Sequence, residues 1–272
     1  MKIFIPRPAV LHTLSFFVSL TLVLSPVPAS AQATLDDDRR FIQIFIEDAA
    51  IVENAWVEGQ VRRRDLQGNN DTFEGGPVLA FSPVDRLEVG GRVNLIDADF
   101  GPRSKNGVGD TTVWGKWQIV HNPIQFTVGA ELFLPTGDED DNLGTGEVDA
   151  ALFAAVRKNL AHAAATGFLG VRSNSDTSVG GNLGPSFLRD RDGKPSVFLG
   201  GGILVPASRH FGLSGELTVE TERFEKGDSS VEATAGGYWF IAEHVTLRAG
   251  LGIGLDDGAP DWEGIFGLAW HF

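Results

Sequence analysis

The 272 residues carry a formal charge of -14, with 36 acidic side chains against 22 Lys and Arg. This balance argues against a nucleic-acid partner, which would call for clustered basic residues. The chain has no cysteine, which excludes a disulfide framework and a thiolate zinc site. Its 34 glycines and 19 phenylalanines, at a mean hydropathy near zero, favour many short strands and turns.

The first 31 residues have the three-part plan of a secretory signal peptide. Lys2 and Arg7 precede or flank an apolar run over Leu11–Leu24, and Ala29-Ser30-Ala31 supplies small residues before a predicted cleavage site. The apolar run is short for a transmembrane helix, although a retained anchor is the alternative. We therefore predict a cleaved signal peptide at 1–31.

Twelve later segments alternate apolar and polar residues. A period of two is typical of a strand whose two faces meet different media. In the strand over Ile124–Leu134, for example, the apolar residues fall on one face, opposite Gln125, Thr127 and Glu131. The predicted strands are Ala55–Arg64, Thr72–Ser82, Arg86–Asp97, Gly109–Val120, Ile124–Leu134, Glu147–Arg157, Ala163–Ser173, Pro195–Val205, Phe211–Glu222, Ser229–Phe240, Val245–Leu255 and Trp262–Phe272.

The connections between these segments alternate short and long. Short ones include His121–Pro123, and long ones, such as Ala98–Val108 and Pro135–Gly146, are rich in Asp, Gly, Asn and Ser. Outer-membrane barrels have short periplasmic turns and longer outer loops on an even number of strands. Aromatic residues at strand ends, such as Trp239 and Trp270, suit the girdles at the membrane interfaces. A soluble two-sheet sandwich would also alternate and is the alternative.

We therefore predict an all-β fold, a single antiparallel transmembrane β-barrel of about twelve strands. The barrel covers 55–272, and 32–54 form a periplasmic lead-in that lies partly in the lumen if it plugs the barrel. Within the lead-in, Phe41–Ile46 is predicted either as a short strand or as a segment tucked inside the barrel mouth. The expected location is the outer membrane of a Gram-negative bacterium.

Charged residues on the faces opposite the apolar ones are the predicted lining of the lumen. Burying them unpaired would be costly, so they either line water or neutralise one another in a network. Both alternatives, a polar path and a salt-bridged filling, stay open. The candidates are Glu58, Arg62, Arg64, Glu88, Arg92, Asp110, Lys116, Glu131, Asp149, Arg157, Arg172, Glu216, Glu220, Glu232, Arg248 and Glu263.

Other polar clusters do not indicate a metal or catalytic site. The run Asp138-Glu139-Asp140-Asp141 offers the oxygen ligands of a Ca²⁺ site, but Leu143 stands where an EF-hand needs glycine, so we expect a solvated loop. The histidines fall at predicted short turns, without ligand spacing. No serine has the lipid-facing, mid-strand setting of an outer-membrane lipase. We expect no cofactor and no enzyme activity, with an outer-membrane hydrolase as an alternative.

Four motifs occur in a fixed order: Gly107-Val108-Gly109-Asp110, Trp114-Gly115-Lys116-Trp117, Phe133–Asp138 and Leu143–Gly146. This order resembles the bacterial outer-membrane proteins grouped as "meta-pathway of phenol degradation" transporters. Ile46-Glu47-Asp48-Ala49 is similar to that family's entry into its first strand. The residues that carry the motif are Gly109, Asp110, Pro135, Thr136 and Gly137.

The resemblance implies an outer-membrane channel or uptake barrel for small, aromatic or other hydrophobic molecules. A barrel without transport, acting in surface structure, is the alternative. Expected partners are outer-membrane lipid and lipopolysaccharide, and a small-molecule substrate that the sequence does not identify. The aromatic last strand, ending at Phe272, resembles the signal that the barrel-assembly machinery recognises.

The motif residues also have ordinary physical roles. Pro135 ends a strand because it cannot donate a ladder hydrogen bond, and Gly137 supplies turn freedom. Gly109 and Asp110 are predicted to start the fourth strand. Asp110 would then face the lumen and pair with Lys116 or with an arginine of a neighbouring strand.

Overall fold

The computed structural model describes residues 39–66, 70–99, 104–138, 141, 143–176, 192–225 and 227–272. The predicted signal peptide and the first residues of the lead-in lie outside this part of the chain. None of the described residues form a helix long and apolar enough to cross a membrane. The strands are β1 Ala55–Leu66, β2 Asn70–Val84, β3 Leu87–Arg92, β4 Leu95–Asp99, β5 Ser104–Val108, β6 Thr111–Val120, β7 Gln125–Leu134, β8 Asp149–Asn159, β9 Ala164–Ser173, β10 Ser196–Pro206, β11 Phe211–Glu220, β12 Ser230–Ala242, β13 Val245–Gly254 and β14 Trp262–His271.

The strands form a closed antiparallel barrel, because β1 pairs with both β2 and β14. β3 and β4 together form one barrel strand, since both pair with β2. β5 and β6 form the next, pairing with β4 and β3 respectively. Fourteen strands less these two interruptions give the predicted twelve-stranded, all-β barrel, which is confirmed.

The predicted outer loop Ala98–Val108 is wrong in part, because the chain continues there as β4 and β5. Gly109 and Asp110 consequently mark the break between β5 and β6 rather than the start of a strand. Asn94 secures this break: its carbonyl accepts a hydrogen bond from the Gly109 amide (2.7 Å), and its side-chain amide donates to the Asp110 carbonyl (2.9 Å). Opposite it, a Cβ on Gly76 would lie 2.0 Å from the Val93 carbonyl oxygen, so glycine is required there.

The two faces of the barrel wall differ in the way the alternation predicts. The outer face exposes large apolar side chains, including Trp117, Leu152, Leu169, Leu251 and Phe266, of which Leu251 is 68% exposed. Such a continuous apolar surface is unusual for a soluble monomer and is the band that transmembrane barrels present to lipid. The inner face is buried and carries most of the charged residues of the strands.

Aromatic residues also mark the end of the barrel with the short turns. Trp239, Trp270 and Phe272 are exposed there, and the rings of the last two are 6.3 Å apart. These positions suit an interfacial girdle.

Candidate functional site

The lumen at the short-turn end is filled by residues 39–54, here called the plug. Phe41–Ile46 lies inside the barrel as bends and turns, so the short-strand alternative is wrong. Phe41 and Phe45 are fully buried, and the Phe45 ring lies 5.6 Å from Trp56 and 6.3 Å from Trp114. The hydrophobic core of the barrel is therefore made by its own N-terminal segment packing against the inner wall.

Glu216, on β11, holds the backbone at the beginning of the plug. Its carboxylate accepts hydrogen bonds from the amides of Ile42 (2.8 Å), Gln43 (2.8 Å) and Ile44 (3.0 Å). These amides lie outside any strand and need partners when buried. The Glu216 carboxylate thus supplies the hydrogen-bond acceptors that a neighbouring strand would supply in a sheet.

Glu88 and Lys116 perform the same task for the end of the plug. Both are fully buried and form an ion pair of 3.0 Å. Lys116 donates to the carbonyls of Asp48 (3.3 Å) and Ala50 (2.9 Å). Glu88 accepts from the Val52 amide at 2.7 Å and also pairs with Arg40 of the plug and Trp114 of β6.

Two arginines complete the attachment of the plug. Arg157 forms a fully buried ion pair with Asp48 at 2.6 Å. Arg248 pairs with Glu58 at 2.5 Å and donates to the Phe41 carbonyl. Losing one partner of such a buried pair typically costs about 3–5 kcal/mol, because the remaining charge is left without compensation.

The other half of the lumen, towards the long loops, holds a second set of charged side chains. Glu263 pairs with Arg62 (3.7 Å) and Arg64 (3.3 Å), and Arg172 pairs with Glu220 at 3.2 Å. Here the wall residues pair mainly with each other. Glu232 is an exception, since it accepts a hydrogen bond of 2.6 Å from Gln43 of the plug.

Glu131 and Arg92 differ from these paired residues. Glu131 is only 3% exposed, yet its side chain makes no hydrogen bond to a described residue, and the charges of Arg172 and Arg92 attract its carboxylate without forming an ion pair with it. The Arg92 side chain, which is partly exposed, likewise donates no hydrogen bond to a described residue, and its Nε atom is buried. Glu47, in the plug, interacts electrostatically with both, and burial raises the pKa of its carboxyl above the ordinary value.

Asp110 joins the family-like motifs at the mouth of the barrel. Its carboxylate accepts hydrogen bonds from the Gly137 amide (3.1 Å), the Thr145 amide (2.8 Å) and the Thr145 hydroxyl (3.1 Å). A Cβ on Gly137 would meet the Leu143 carbonyl oxygen at 2.4 Å, which explains the glycine. The predicted pairing of Asp110 with Lys116 is wrong, because Lys116 binds Glu88 and the plug instead.

The remaining predicted residues of the mouth have structural contacts. Thr136 donates to the Gly109 carbonyl at 2.9 Å, and Pro135 follows β7 directly. Asp149 accepts a hydrogen bond from the Ser175 amide at 2.7 Å. The acidic run at 138–141 is only partly described, and no group of three or more metal-binding side chains occurs among the residues that are.

Sequence reasoning missed several residues that hold the plug, because the plug has no periodic pattern. Arg40 and Asp48 supply charges from the plug itself, and Thr127 donates to the Ala49 carbonyl at 2.6 Å. The buried position of Thr127, on the polar face of β7, was the available signal. Its partner could not be inferred without knowing that a segment fills the lumen.

A closed twelve-stranded barrel with an apolar exterior and a charged interior defines the fold class of outer-membrane channels and porins. Solved structures of this class that resemble the chain include an outer membrane channel from Pseudomonas putida F1, at 16% identity and a TM-score of 0.64 over 84% of this chain and 98% of that one. KdgM porin in complex with disordered oligogalacturonate has 8% identity and a TM-score of 0.54 over 80% and 99%. NanC porin has 8% identity and a TM-score of 0.51 over 80% and 98%.

These identities establish the fold and nothing finer. No protein-family model matches the chain, and no curated protein matches it in sequence. Membership of the phenol-degradation family therefore stays a prediction.

Proposed function

We propose that the protein is an outer-membrane channel for small molecules, closed by its own plug, and that a solute crosses only when the plug shifts. The observation that supports this proposal is that charged side chains of the barrel wall bind the plug. These side chains, which form hydrogen bonds with plug backbone atoms, are those of Glu216, Glu88, Lys116 and Arg248. A lumen filled only for stability would be better filled with apolar side chains, because buried charges are expensive to desolvate.

The nature of these contacts supports a plug that can move without unfolding the barrel. Apart from the backbone hydrogen bond that the Ser82 amide donates to the Asn54 carbonyl, side-chain hydrogen bonds, ion pairs and apolar packing join the plug to the wall. The wall, in contrast, is held by ladders between neighbouring strands. Plug contacts can therefore open while every strand pair stays intact. Water entering the lumen would satisfy the groups that separate.

The proposal also includes an orientation of the barrel in the outer membrane. The short turns face the periplasm, the apolar band contacts outer-membrane lipid, and the long loops meet lipopolysaccharide. The strand ending at Phe272 is proposed to bind the barrel-assembly machinery. Small aromatic or hydrophobic molecules are proposed as substrates on the strength of the motif resemblance, and no enzymatic activity is proposed.

A disulfide between plug and wall tests this function, because the chain has no cysteine of its own. Ala49→Cys and Thr127→Cys place thiols at two positions already joined by a 2.6 Å hydrogen bond. We expect liposomes containing the reduced double variant to swell in small solutes and the oxidised form to swell much more slowly. The two single variants, under the same oxidant, are the matched controls.

The filled half of the lumen also favours a second candidate, a structural barrel without transport. If this is correct, neither wild type nor the reduced double variant passes solute, although both give the heat-modifiable band of a folded barrel. Equal flux through the oxidised and reduced forms would contradict plug movement and leave a channel of another kind.

A further inference from the structure

Glu131 has a side chain that lacks a hydrogen-bond partner among the described residues, although the charges of Arg172 and Arg92 attract its carboxylate. Its side chain points inward from β7, is 3% exposed, and has a buried Oε1 atom without a hydrogen-bond partner among the described residues. Buried polar groups without partners are uncommon in native proteins, and each one calls for an explanation such as an unseen bound species. A hydrogen-bond donor or a positive charge would provide the missing partner.

The Arg92 side chain lacks a hydrogen-bond acceptor among the described residues and lies on the same inner surface. Across β3, β6 and β7, Arg92 stands opposite Thr112, which stands opposite Phe133. Two strand spacings of about 4.8 Å therefore separate Arg92 from Phe133, and Glu131 lies two residues before Phe133 on the same face. The Arg92 guanidinium and the Glu131 carboxylate, neither of which has a hydrogen-bond partner among the described residues, thus face the same part of the lumen from neighbouring parts of the wall.

Aromatic side chains lie beside Glu131 and Arg92 in this part of the lumen. Trp114 stands directly opposite Glu131 in the ladder. The Arg172 guanidinium lies 4.7 Å from the centre of the Phe133 ring and 5.2 Å from that of Phe198, and it forms an ion pair with Glu220. An apolar ring could therefore contact Phe133 while polar groups of the same molecule reach Glu131 and Arg92.

We propose that Glu131 and Arg92 form a binding subsite for an aromatic amphoteric solute, one that carries an ammonium group and a carboxylate beside an aromatic ring. This assignment names the substrate class of the proposed channel and rests on that function only for its physiological use. The ammonium binds Glu131 and the carboxylate binds Arg92. Glu47 of the plug interacts electrostatically with both residues, which connects the subsite to the plug.

The charges at the subsite favour an amphoteric solute over a solute that has only an ammonium group or only a carboxylate. Glu131 and Glu47 accept hydrogen bonds, whereas Arg92 only donates them. A carboxylate without an ammonium would leave Glu131 without a hydrogen bond, and an ammonium without a carboxylate would leave Arg92 without one. Charge-assisted hydrogen bonds to both ends are the strong kind, so an amphoteric solute gains most.

Calorimetric titration of the detergent-solubilised barrel tests the subsite without relying on transport. The probes are phenylalanine, phenethylamine and phenylacetate, which share a ring and differ in their charged groups. The variants are Glu131→Gln and Arg92→Gln, with the exposed turn substitutions Glu243→Gln and Arg209→Gln as controls. We expect phenylalanine to bind the wild type best and each subsite variant about tenfold or more weakly, as loss of a hydrogen bond to a charged group implies.

The two incomplete probes make the assignment of each group specific. Phenethylamine binding should fall in Glu131→Gln and stay unchanged in Arg92→Gln, and phenylacetate should show the reverse. The subsite is contradicted if wild type shows no saturable phenylalanine binding, or if both variants bind it as the wild type does. Saturable binding without liposome flux would support the subsite and count against the channel, so the two proposals fail separately.

Discussion

The two halves of the lumen are built from the same kinds of residue and use them differently. Towards the short turns, Glu216, Glu88 and Lys116 are bonded to the plug backbone. Towards the long loops, the wall residues pair among themselves, and Glu131 and Arg92 have no such partner in the described structure. One half therefore binds the protein's own N-terminal segment, whereas the other contains the two side chains that we propose as a solute subsite.

The largest effect on stability is expected at the fully buried ion pair of Asp48 and Arg157, which joins the plug to the wall. Asp48→Ala should lower the free energy of unfolding by about 3–5 kcal/mol, because it leaves the Arg157 charge buried without its partner. Urea unfolding in detergent measures the change. Glu243→Ala, which removes an exposed carboxylate in the short turn between β12 and β13, should leave the unfolding free energy within the error of measurement.

Glu216→Gln should have a smaller and more local effect. The amide side chain keeps one acceptor oxygen and loses the charge, so we expect a cost of about 1–3 kcal/mol in holding the amides of Ile42, Gln43 and Ile44. Hydrogen exchange at these amides should quicken accordingly. Glu131→Gln is the matched control, since Glu131 binds no plug amide, and equal acceleration in both variants would remove the distinction between the two halves.

Asp110→Ala should produce the smallest effect, at the barrel mouth. Loss of the hydrogen bonds to Gly137 and Thr145 should loosen the chain around Leu143 by about 1–2 kcal/mol. Leu143 is 5% exposed, so a thiol in a Leu143→Cys variant should react slowly with a water-soluble maleimide, and faster once Asp110 is also replaced. An unchanged labelling rate would show that Asp110 does not hold this segment.

The sequence was sufficient to predict the barrel wall, because each strand obeys a local rule. The alternation of apolar and polar residues identified all twelve strands, and the lengths of the connections predicted which strand ends lie at the same end of the barrel. The hairpin of β4 and β5 was predicted only in part, because the predicted strand ended at Asp97, and Ser104, Asn106 and Gly107 give the rest the composition of a loop. Pairing with β2, which is a tertiary contact, makes it a strand pair all the same.

The contents of the lumen were less predictable, because they depend on contacts between residues far apart in sequence. Glu216 binds Ile42, a separation of 174 residues, and no periodic pattern marks either as the partner of the other. Asp110 shows the same limit: its charge and inward position were visible, but its partners depend on how the residues after β7 fold back. Polar residues on the inner face could be identified, whereas their partners could not.

Solute flux through the barrel with Ala49→Cys and Thr127→Cys tests the central claim most directly. The claim is that the plug, and not the barrel wall, decides whether the channel is open. We predict flux in the reduced form, its loss on oxidation, and its recovery after the disulfide is reduced again. Undiminished flux through barrels whose disulfide has formed completely would contradict the claim.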